Sequence, residues 1–491
     1  MVKDLAFVSP ESVGIKSENV LEFIRLLEYH KINFHSLMIV KDGKIITEGY
    51  IKPFNENHKH RIYSSSKTVV ALAMGLLVTQ GKVKVTDSIV DYLGKYVDSE
   101  LHPWKKQTTI EDCLKMALGS VGNNNPPKNP NDWIYNVIND SKFYQPSGTI
   151  FNYSSGAEIS AAIIKEVTGK EFLDYLRPVF DKIGVSTDIW CVKNAENISW
   201  GGSGVIITLR DFAKIGELVL NKGEYNGEQL IDREYMEKLT SKQINNFIAN
   251  NYTPLRSGGY GYLTWITDNA TCFRGMGLQQ CYCFHDKNLM LVTQGDTQSG
   301  FDTHDNVLYD LFKYFIYDKV GTPTADGKAY IELKEKLKNL TPPTYGLAHV
   351  PFEKQLNGKT YAVYGDNNMK WKYFRFDFSG DEGTFTYENA RGKKQIKFGL
   401  GKNVYGTFPE THYYDVKRDE PSNREQDCYA AAEWMEDKKI MLRVYMIDSN
   451  LGNAFMQFGF KEDKVGISIN TKAEFFFEDY VGAAWGELVK D

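Results

Sequence analysis

A serine and a lysine lie three residues apart in the segment RIYSSSKT, at Ser64 and Lys67. The apolar run that follows predicts a helix over residues 64–80 that ends at Gly81, a typical residue just beyond a helix C terminus. Residues three apart on a helix share a face, so we expect the Lys67 amine beside the Ser64 hydroxyl. A serine hydroxyl becomes an effective nucleophile when a neighbouring group takes its proton, and lysine takes a proton only when it is neutral. The spacing is therefore compatible with nucleophilic catalysis by Ser64.

The serine–lysine spacing alone is common, and its ordinary interpretation is a capping serine followed by a solvated lysine. Here Lys67 directly precedes Val69, Val70, Leu72 and Ala73, which indicates a buried helix. Burial favours a neutral amine, and the positive end of the helix dipole stabilises a forming oxyanion. No Gly-x-Ser-x-Gly, His-Glu-x-x-His, phosphate-loop or dinucleotide motif competes for the active site.

Hairpin and capping signals predict the elements that position this pair. The dipeptide Asp42-Gly43 lies between two strand-like runs and predicts a β-hairpin. A helix is predicted over 154–168, before Gly169, and another begins after Thr208. These patterns favour an α+β domain.

Composition excludes several classes of protein. The 491 residues carry 58 Lys and Arg against 63 Asp and Glu, a net charge of -5, which excludes a strongly basic nucleic-acid binder and gives no support for a membrane partner. We find no secretory signal and no transmembrane run, and six scattered cysteines favour a cytoplasmic protein with free thiols. Cys281 and Cys283, or His58 and His60, are spaced so that they could hold a metal ion. Packed thiols are the simpler interpretation of the cysteines, and no further ligands lie near the two histidines in the sequence.

The pattern changes after the segment TPPTYG at 341–346. Runs of alternating polar and apolar residues separated by turn residues, such as YFRFDFSG, GTFTYENA and AEFFFED, predict strands. We therefore predict a domain at 1–340 and an all-β domain at 347–491, an antiparallel barrel of eight strands. Its many Phe and Tyr residues favour a filled interior or a docking face, and an accessory role in substrate access or oligomer contacts.

Several segments in one order resemble the serine β-lactamase and penicillin-binding-protein superfamily, over about residues 8–320. They are LMIVKDGKIITEGY, YSSSKTVVALAMGLL, TIEDCLKMALGSVG, FNYSSGAEISAAIIKEVTG, the GGSGVIITLRDF segment and FRGMGLQQ. The likeness is closest to class C-like serine hydrolases, namely esterases, D-aminopeptidases and 6-aminohexanoate-dimer hydrolases. It implies an antiparallel sheet flanked by helices, with an inserted helical subdomain and a lipocalin-like C-terminal barrel.

The resemblance also implies roles for individual residues. Ser64 is the nucleophile and Lys67 its partner base. Tyr153 matches the tyrosine of the second motif, and whether Lys67 or Tyr153 is the acting base stays open. The backbone N–H groups of Ser64 and Met276 form the oxyanion hole.

Two positions depart from the family pattern, and both belong to the expected substrate-binding set. Ser155 stands where the second motif usually has Asn, and Phe273 stands where the third motif has Lys or His. Gly275 keeps the third motif open to substrate. Arg274 either replaces the missing cation or faces the other side of its strand. Without that cation, anionic β-lactams should be poor substrates.

The resulting hypothesis is a serine hydrolase that forms an acyl-enzyme on a small ester or amide, including D-amino-acid and ω-amino-acid amides. It implies no metal or organic cofactor. One alternative resolves the same acyl-enzyme with an amine, as in an acyltransferase or peptide-cyclising thioesterase. Another is a non-catalytic sensing or binding module. The aromatic residues Trp133, Tyr135, Phe143 and Tyr144 form either an apolar wall of the site or ordinary core.

Overall fold

A computed structural model describes most of the chain. The described residues are 5–98, 101–119, 133–139, 145–194, 196–246, 258–297, 301–343, 345–365, 367, 369–410, 425–448, 451–473 and 481–490. They form two compact units, of which the first takes in the described residues of 1–49 and 56–338. The second takes in those of 50–55 and from 339 onward. The sequence pattern changes close to this division, but nothing in it indicates that segment 50–55 belongs to the second unit.

The first unit contains twelve described strands and twelve described helices. The strands are β1 (Ala6–Phe7), β2 (Phe34–Lys41), β3 (Lys44–Tyr50), β4 (Lys59–Arg61), β5 (Trp190–Cys191), β6 (Val205–Thr208), β7 (Glu224–Tyr225), β8 (Glu228–Gln229), β9 (Trp265–Ile266), β10 (Thr271–Gly275), β11 (Gln279–Phe284) and β12 (Leu289–Gly295). The helices are α1 (Ser17–Tyr29), α2 (Ser66–Thr79), α3 (Ile89–Leu93), α4 (Pro103–Lys106), α5 (Ile110–Leu114), α6 (Trp133–Ile138), α7 (Gly156–Thr168), α8 (Phe172–Ile183), α9 (Leu209–Leu220), α10 (Arg233–Leu239), α11 (Phe301–Phe315) and α12 (Lys328–Lys338).

The main sheet of the first unit has the order β1-β3-β2-β12-β11-β10-β9. All its pairs are antiparallel except β1 with β3. Asp42 and Gly43 join β2 to β3 with φ angles of 51° and 68°, the left-handed conformations that a two-residue hairpin turn requires. The predicted hairpin and the predicted α+β class are both confirmed.

Helices cover both faces of this sheet. On one face, Phe312 of α11 packs against Phe23 of α1 and Phe284 of β11. On the other face, Phe212 of α9 packs against Phe273 of β10. Helix α2 is buried along its whole length from Ser66 to Leu77, as expected for a helix that is apolar on every side. The described helices α3 to α6 lie between Ser64 and Tyr153 in the chain, where the helical subdomain was predicted.

The second unit is a barrel, as predicted. Its strands are β13 (Thr360–Tyr364), β14 (Tyr373–Ser379), β15 (Glu382–Asn389), β16 (Gly392–Leu400), β17 (Val404–Phe408), β18 (Gln426–Glu436), β19 (Lys439–Ile447), β20 (Leu451–Lys461), β21 (Lys464–Ala473) and β22 (Gly482–Leu488), and a short helix, α13 (Glu353–Leu356), precedes them. The predicted strand AEFFFED, apart from its first residue, lies outside the described residues.

The predicted number of eight barrel strands is wrong, because nine strands close the ring. Strands β16 and β18 pair in parallel at Gly399↔Ala431 and Leu400↔Ala432. A ring with an odd number of strands cannot be antiparallel throughout, so one parallel pair has to close it. Among the described strands, β17 pairs with β18 alone, at the other end of β18, and so lies outside the ring. The interior is filled by aromatic and aliphatic side chains, including Trp371, Phe374, Phe376, Phe385 and Phe458.

All six cysteines are free thiols. Among the residues described, no helix combines the length and apolar character needed to cross a bilayer. Within the same residues, no group of three His, Cys, Asp or Glu side chains is arranged to hold a metal ion.

A buried pair of histidines connects the main sheet to the strand that leads to Ser64. Nδ1 of His35, on β2, lies 2.8 Å from Nε2 of His60, on β4. Burial, followed by repulsion from His58, lowers the pKa of His60 to about 3, and burial together with His60 and His58 lowers that of His35 well below its usual value. Both rings are therefore neutral in the folded protein at neutral pH.

We predict that this pair destabilises the fold in acid. The unfolded chain protonates each histidine below about pH 6.5, whereas the folded chain resists protonation down to about pH 3 for His60. The free energy of unfolding should therefore fall as the pH drops through this window, by about 1.4 kcal/mol per pH unit for each histidine. Urea unfolding at several pH values should show a shallower pH dependence in the variant His35→Gln/His60→Gln than in the wild type.

The matched control is His349→Gln. His349 is exposed, and its pKa is raised by Glu353 and Asp381, so its contribution has the opposite sign. Equal slopes in the wild type and the double variant between pH 6.5 and 4.5 would contradict the prediction.

Candidate active site

Ser64 lies in a tight 3-10 turn, Tyr63–Ser65, directly before α2. Tyr63 has a φ of 45°, a left-handed conformation that is unfavourable for a bulky residue and is concentrated at functional sites. Ser64 is half-buried, whereas Ser65 and Ser66 are fully buried. The turn therefore leaves Ser64 accessible and places the next two serines in the interior.

The three consecutive serines have different partners. The Ser65 hydroxyl donates to the carbonyl of Gln279 at 2.7 Å, and the Ser66 hydroxyl accepts from the N–H of Val205 at 3.0 Å. Both bonds tie the turn to distant parts of the fold. The Ser64 hydroxyl instead accepts from Nζ of Lys67 at 3.2 Å, the contact predicted from their spacing.

Lys67 is buried, with 3% of its side chain surface exposed. Besides contacting Ser64, its Nζ donates to the carbonyl of Gly202 at 2.6 Å. The same nitrogen lies 4.8 Å from the centre of the Tyr153 ring. The structure thus brings Ser64, Lys67 and Tyr153 together, the three residues predicted to be catalytic.

Tyr153 belongs to a cluster of four aromatic rings. Its ring centre lies 5.5 Å from that of Trp265, 6.4 Å from that of Tyr260 and 6.5 Å from that of Phe151. Tyr153 and Trp265 are half-buried, whereas Phe151 and Tyr260 are buried. Burial raises the pKa of Tyr260, and the neighbouring Tyr153 and Glu158 raise it further, so Tyr260 stays neutral at ordinary pH. Tyr153 and Trp265 therefore supply the partly accessible rings of this cluster.

The end of β10 lies against the nucleophile turn. A Cβ atom built on Gly275 would overlap the carbonyl oxygen of Ile62, so only glycine fits there. Gln279 fixes the turn that follows, because its Nε2 donates to the carbonyls of Gly277 at 3.1 Å and Gly295 at 2.6 Å. This turn contains Met276, which is half-buried. The oxyanion-hole role of the Ser64 and Met276 N–H groups remains a prediction.

The other predicted substrate-binding residues make interior contacts. Phe273 is fully buried against Phe212. Arg274 points to the other face of the strand, where its guanidinium lies 2.9 Å from a carboxylate oxygen of the buried Asp305. Ser155 is buried at the N terminus of α7. Their predicted contacts with substrate stay predictions.

The aromatic residues of the helical subdomain separate into two kinds. Trp133 is buried and packs edge-on against Trp200 at 5.3 Å, which is an ordinary core contact. Tyr135 is exposed and donates its hydroxyl proton to Asp98 at 2.7 Å. Phe143 and Tyr144 lie outside the described residues.

Sequence analysis missed the residues that support Lys67. Gly202, whose carbonyl accepts from Lys67, lies in the buried loop GGSG at 201–204. Arg61 holds this loop, since its Nε donates to the carbonyl of Ser203 at 2.8 Å and its Nη2 to the hydroxyl of Ser203 at 3.1 Å. Its guanidinium also lies 4.6 Å from the ring centre of Trp200. The available signals were the glycine-rich run and an arginine next to the nucleophile segment.

Comparisons with known proteins agree with this geometry. The chain is 20% identical over 285 residues to the 6-aminohexanoate-dimer hydrolase of Paenarthrobacter ureafaciens. The aligned region covers 53% of this chain and 70% of that protein. A solved structure of a penicillin-binding protein homologue from Caulobacter crescentus superposes with a TM-score of 0.51 at 14% identity, covering 64% of this chain and all of that one. This second likeness shows the fold alone.

A family-wide comparison covers the nucleophile turn, Lys67, Tyr153 and the end of β10. The beta-lactamase family matches residues 26–293, more than half of the chain. The matched range contains Ser64, Lys67 and Tyr153, the three residues predicted to be catalytic, and strand β10. The chain therefore belongs to the beta-lactamase family, a fold family of hydrolases.

Proposed function

We propose that this protein is a serine hydrolase that cleaves small esters or amides through an acyl-enzyme on Ser64 and prefers neutral esters to anionic β-lactams. The observation that carries the proposal is the 3.2 Å contact between Nζ of Lys67 and the hydroxyl of Ser64. Ser65 and Ser66 are engaged in buried bonds, which leaves Ser64 as the accessible hydroxyl of the three.

In the proposed reaction, Oγ of Ser64 attacks the substrate carbonyl while its proton passes to neutral Lys67, directly or through the Tyr153 hydroxyl. The carbonyl electron pair moves to oxygen, where the N–H groups of Ser64 and Met276 stabilise it. Collapse of this intermediate breaks the bond to the alcohol or amine, which leaves with the proton held by Lys67. Water then attacks the acyl-enzyme by the same steps and releases the acid.

The preference for neutral substrates follows from the third motif. Phe273 carries no charge, and the charge of Arg274 is paired with Asp305. Among the described residues of β10, Arg274 is the only cation, so this strand offers no unpaired charge to a substrate carboxylate. The partly accessible rings of Tyr153 and Trp265 favour substrates with an apolar part beside the scissile bond. Small esters and D-amino-acid or ω-amino-acid amides are the substrate classes proposed.

We predict that Ser64→Ala abolishes covalent labelling by a fluorophosphonate probe and lowers ester turnover by several orders of magnitude, because the nucleophile is lost. Ser65→Ala and Ser66→Ala should each cost about 1–3 kcal/mol of stability through an unsatisfied buried partner, yet keep the label. Mass spectrometry of the labelled peptide and urea unfolding measure the two effects. A label on Ser65 or Ser66 in the wild type would contradict the assignment.

We predict that Lys67→Arg is nearly as damaging as Lys67→Ala. A guanidinium stays charged at neutral pH and cannot accept the Ser64 proton. Tyr153→Phe should lower kcat/KM about 10²–10⁴-fold, the range of a lost acid–base group. Steady-state hydrolysis of p-nitrophenyl esters measures both, with Lys165→Arg on the surface of α7 as the control. Wild-type activity in Lys67→Arg would exclude the general-base role.

We predict that kcat/KM for short p-nitrophenyl esters exceeds that for the anionic β-lactam nitrocefin by at least about tenfold, equivalent to one lost charge contact. A panel with D-amino-acid amides and linear ω-amino-acid oligoamides locates the natural class. Comparable efficiencies for nitrocefin and short esters would contradict the proposed preference.

A further inference from the structure

A buried carboxylate lies behind Lys67, on the far side of Gly202. Glu158 is in the first turn of α7 and is 8% exposed. Its Oε1 accepts from Nε1 of Trp200 at 3.2 Å, and its Oε2 is buried without a hydrogen-bond donor among the described residues. A buried carboxylate is unfavourable unless hydrogen bonds or positive charge compensate it, so its surroundings should supply that charge.

Gly202 separates this carboxylate from the catalytic amine. A Cβ atom built on Gly202 would overlap Oε1 of Glu158, which shows that the carboxylate packs directly on the glycine. The carbonyl of the same residue accepts from Nζ of Lys67 at 2.6 Å. One residue of backbone therefore contacts the carboxylate and the amine together.

A second cation, Arg61, contacts the tryptophan that donates to the carboxylate. The guanidinium of Arg61 lies over the ring of Trp200 at 4.6 Å, and the indole N–H of Trp200 points to Glu158. Gly202 thus links the carboxylate of Glu158 to the amine of Lys67 through one residue of backbone.

We infer that Glu158 is a positioning residue for proton transfer at Ser64. Its carboxylate holds Gly202 against Lys67 and stabilises the ammonium that forms as the proton leaves Oγ of Ser64 and the new Oγ–carbon bond is made. The inference rests on the proposed function, since it requires Ser64 to be acylated.

The ionisable groups around the carboxylate come from several elements. Lys67 is on α2, Tyr153 lies three residues before the start of α7, and Tyr260 interacts electrostatically with both Tyr153 and Glu158. Arg61 lies beyond Trp200, with Cys191 of β5 beside it. Of these groups, Lys67 is the one whose protonation state limits acylation in the proposed reaction.

The test is the pH dependence of Ser64 labelling by a fluorophosphonate probe, from pH 5.5 to 9.5, in the full chain. In the wild type the second-order rate constant should rise with pH, because the proposed attack needs an unprotonated base beside Ser64. Glu158→Gln keeps an oxygen for the Trp200 N–H but removes the negative charge that, in this inference, stabilises the protonated base. The rising limb of the plot of this rate constant against pH should therefore move to lower pH by about one unit. The rate constant on the high-pH plateau should fall about tenfold.

Two variants separate charge from packing. Glu158→Asp keeps the charge and should return the limb to its wild-type position. Glu166→Gln changes an exposed acid on the same helix, paired with Lys95, and should leave both limb and plateau unchanged. If Glu158→Gln does not fold, Trp200→Phe provides the second test. It removes the N–H that donates to the Glu158 carboxylate, which makes the ionised form less favourable, and should shift the rising limb in the same direction by less.

The outcomes are distinguishable. An unshifted limb in folded Glu158→Gln, or equal shifts in Glu158→Gln and Glu158→Asp, would overturn the inference while leaving the proposed function intact. Absence of a Ser64 label in the wild type would overturn the proposed function itself.

Discussion

A buried lysine amine needs hydrogen-bond acceptors that its own helix cannot provide, because the carbonyls of the first turn bond to the N–H groups of the next. Lys67, 3% exposed in the first turn of α2, finds them in the carbonyl of Gly202 and the hydroxyl of Ser64. The 201–204 loop therefore lies against α2, and its glycines allow a close approach, since a Cβ atom on Gly201 would overlap Val70 and one on Gly202 would overlap Glu158. Arg61, itself buried, then fixes the loop through Ser203.

The proposed catalytic group could be predicted from sequence because the serine–lysine signal is local. The serine–lysine spacing and the apolar run after it specify a buried helix, and Tyr153 follows from the order of the motifs. The choice among three consecutive serines is different, since it depends on partners 214 and 139 residues away, Gln279 for Ser65 and Val205 for Ser66. Gly202 acts through a backbone carbonyl, and a backbone atom leaves no side-chain signature in a sequence.

Strand alternation predicted that Phe273 and Arg274 face opposite sides of β10, and they do. It could not identify which side meets α9 and which meets α11, because that depends on how distant helices pack on the sheet. Arg274 meets Asp305 of α11, and the pairing removes the cation that could have replaced the one missing from the third motif. The weak binding expected for anionic substrates would therefore result from the packing of α11, which pairs Asp305 with Arg274.

The barrel illustrates a different limit of sequence analysis. Alternation identifies strands but not which strands pair when the sheet closes. The sequence therefore could not predict that β17 lies outside the ring. Nor does alternation reveal that segment 50–55 belongs to the second unit, where Phe54 packs edge-on against Tyr429 at 5.9 Å. Phe54 is 4% exposed. A truncated chain that ends at residue 338 would still contain Phe54 but would lack Tyr429, against which it packs. A truncation would thus perturb the chain ten residues before Ser64. Substitutions within the barrel strands of the full-length protein therefore test the role of the barrel without exposing Phe54.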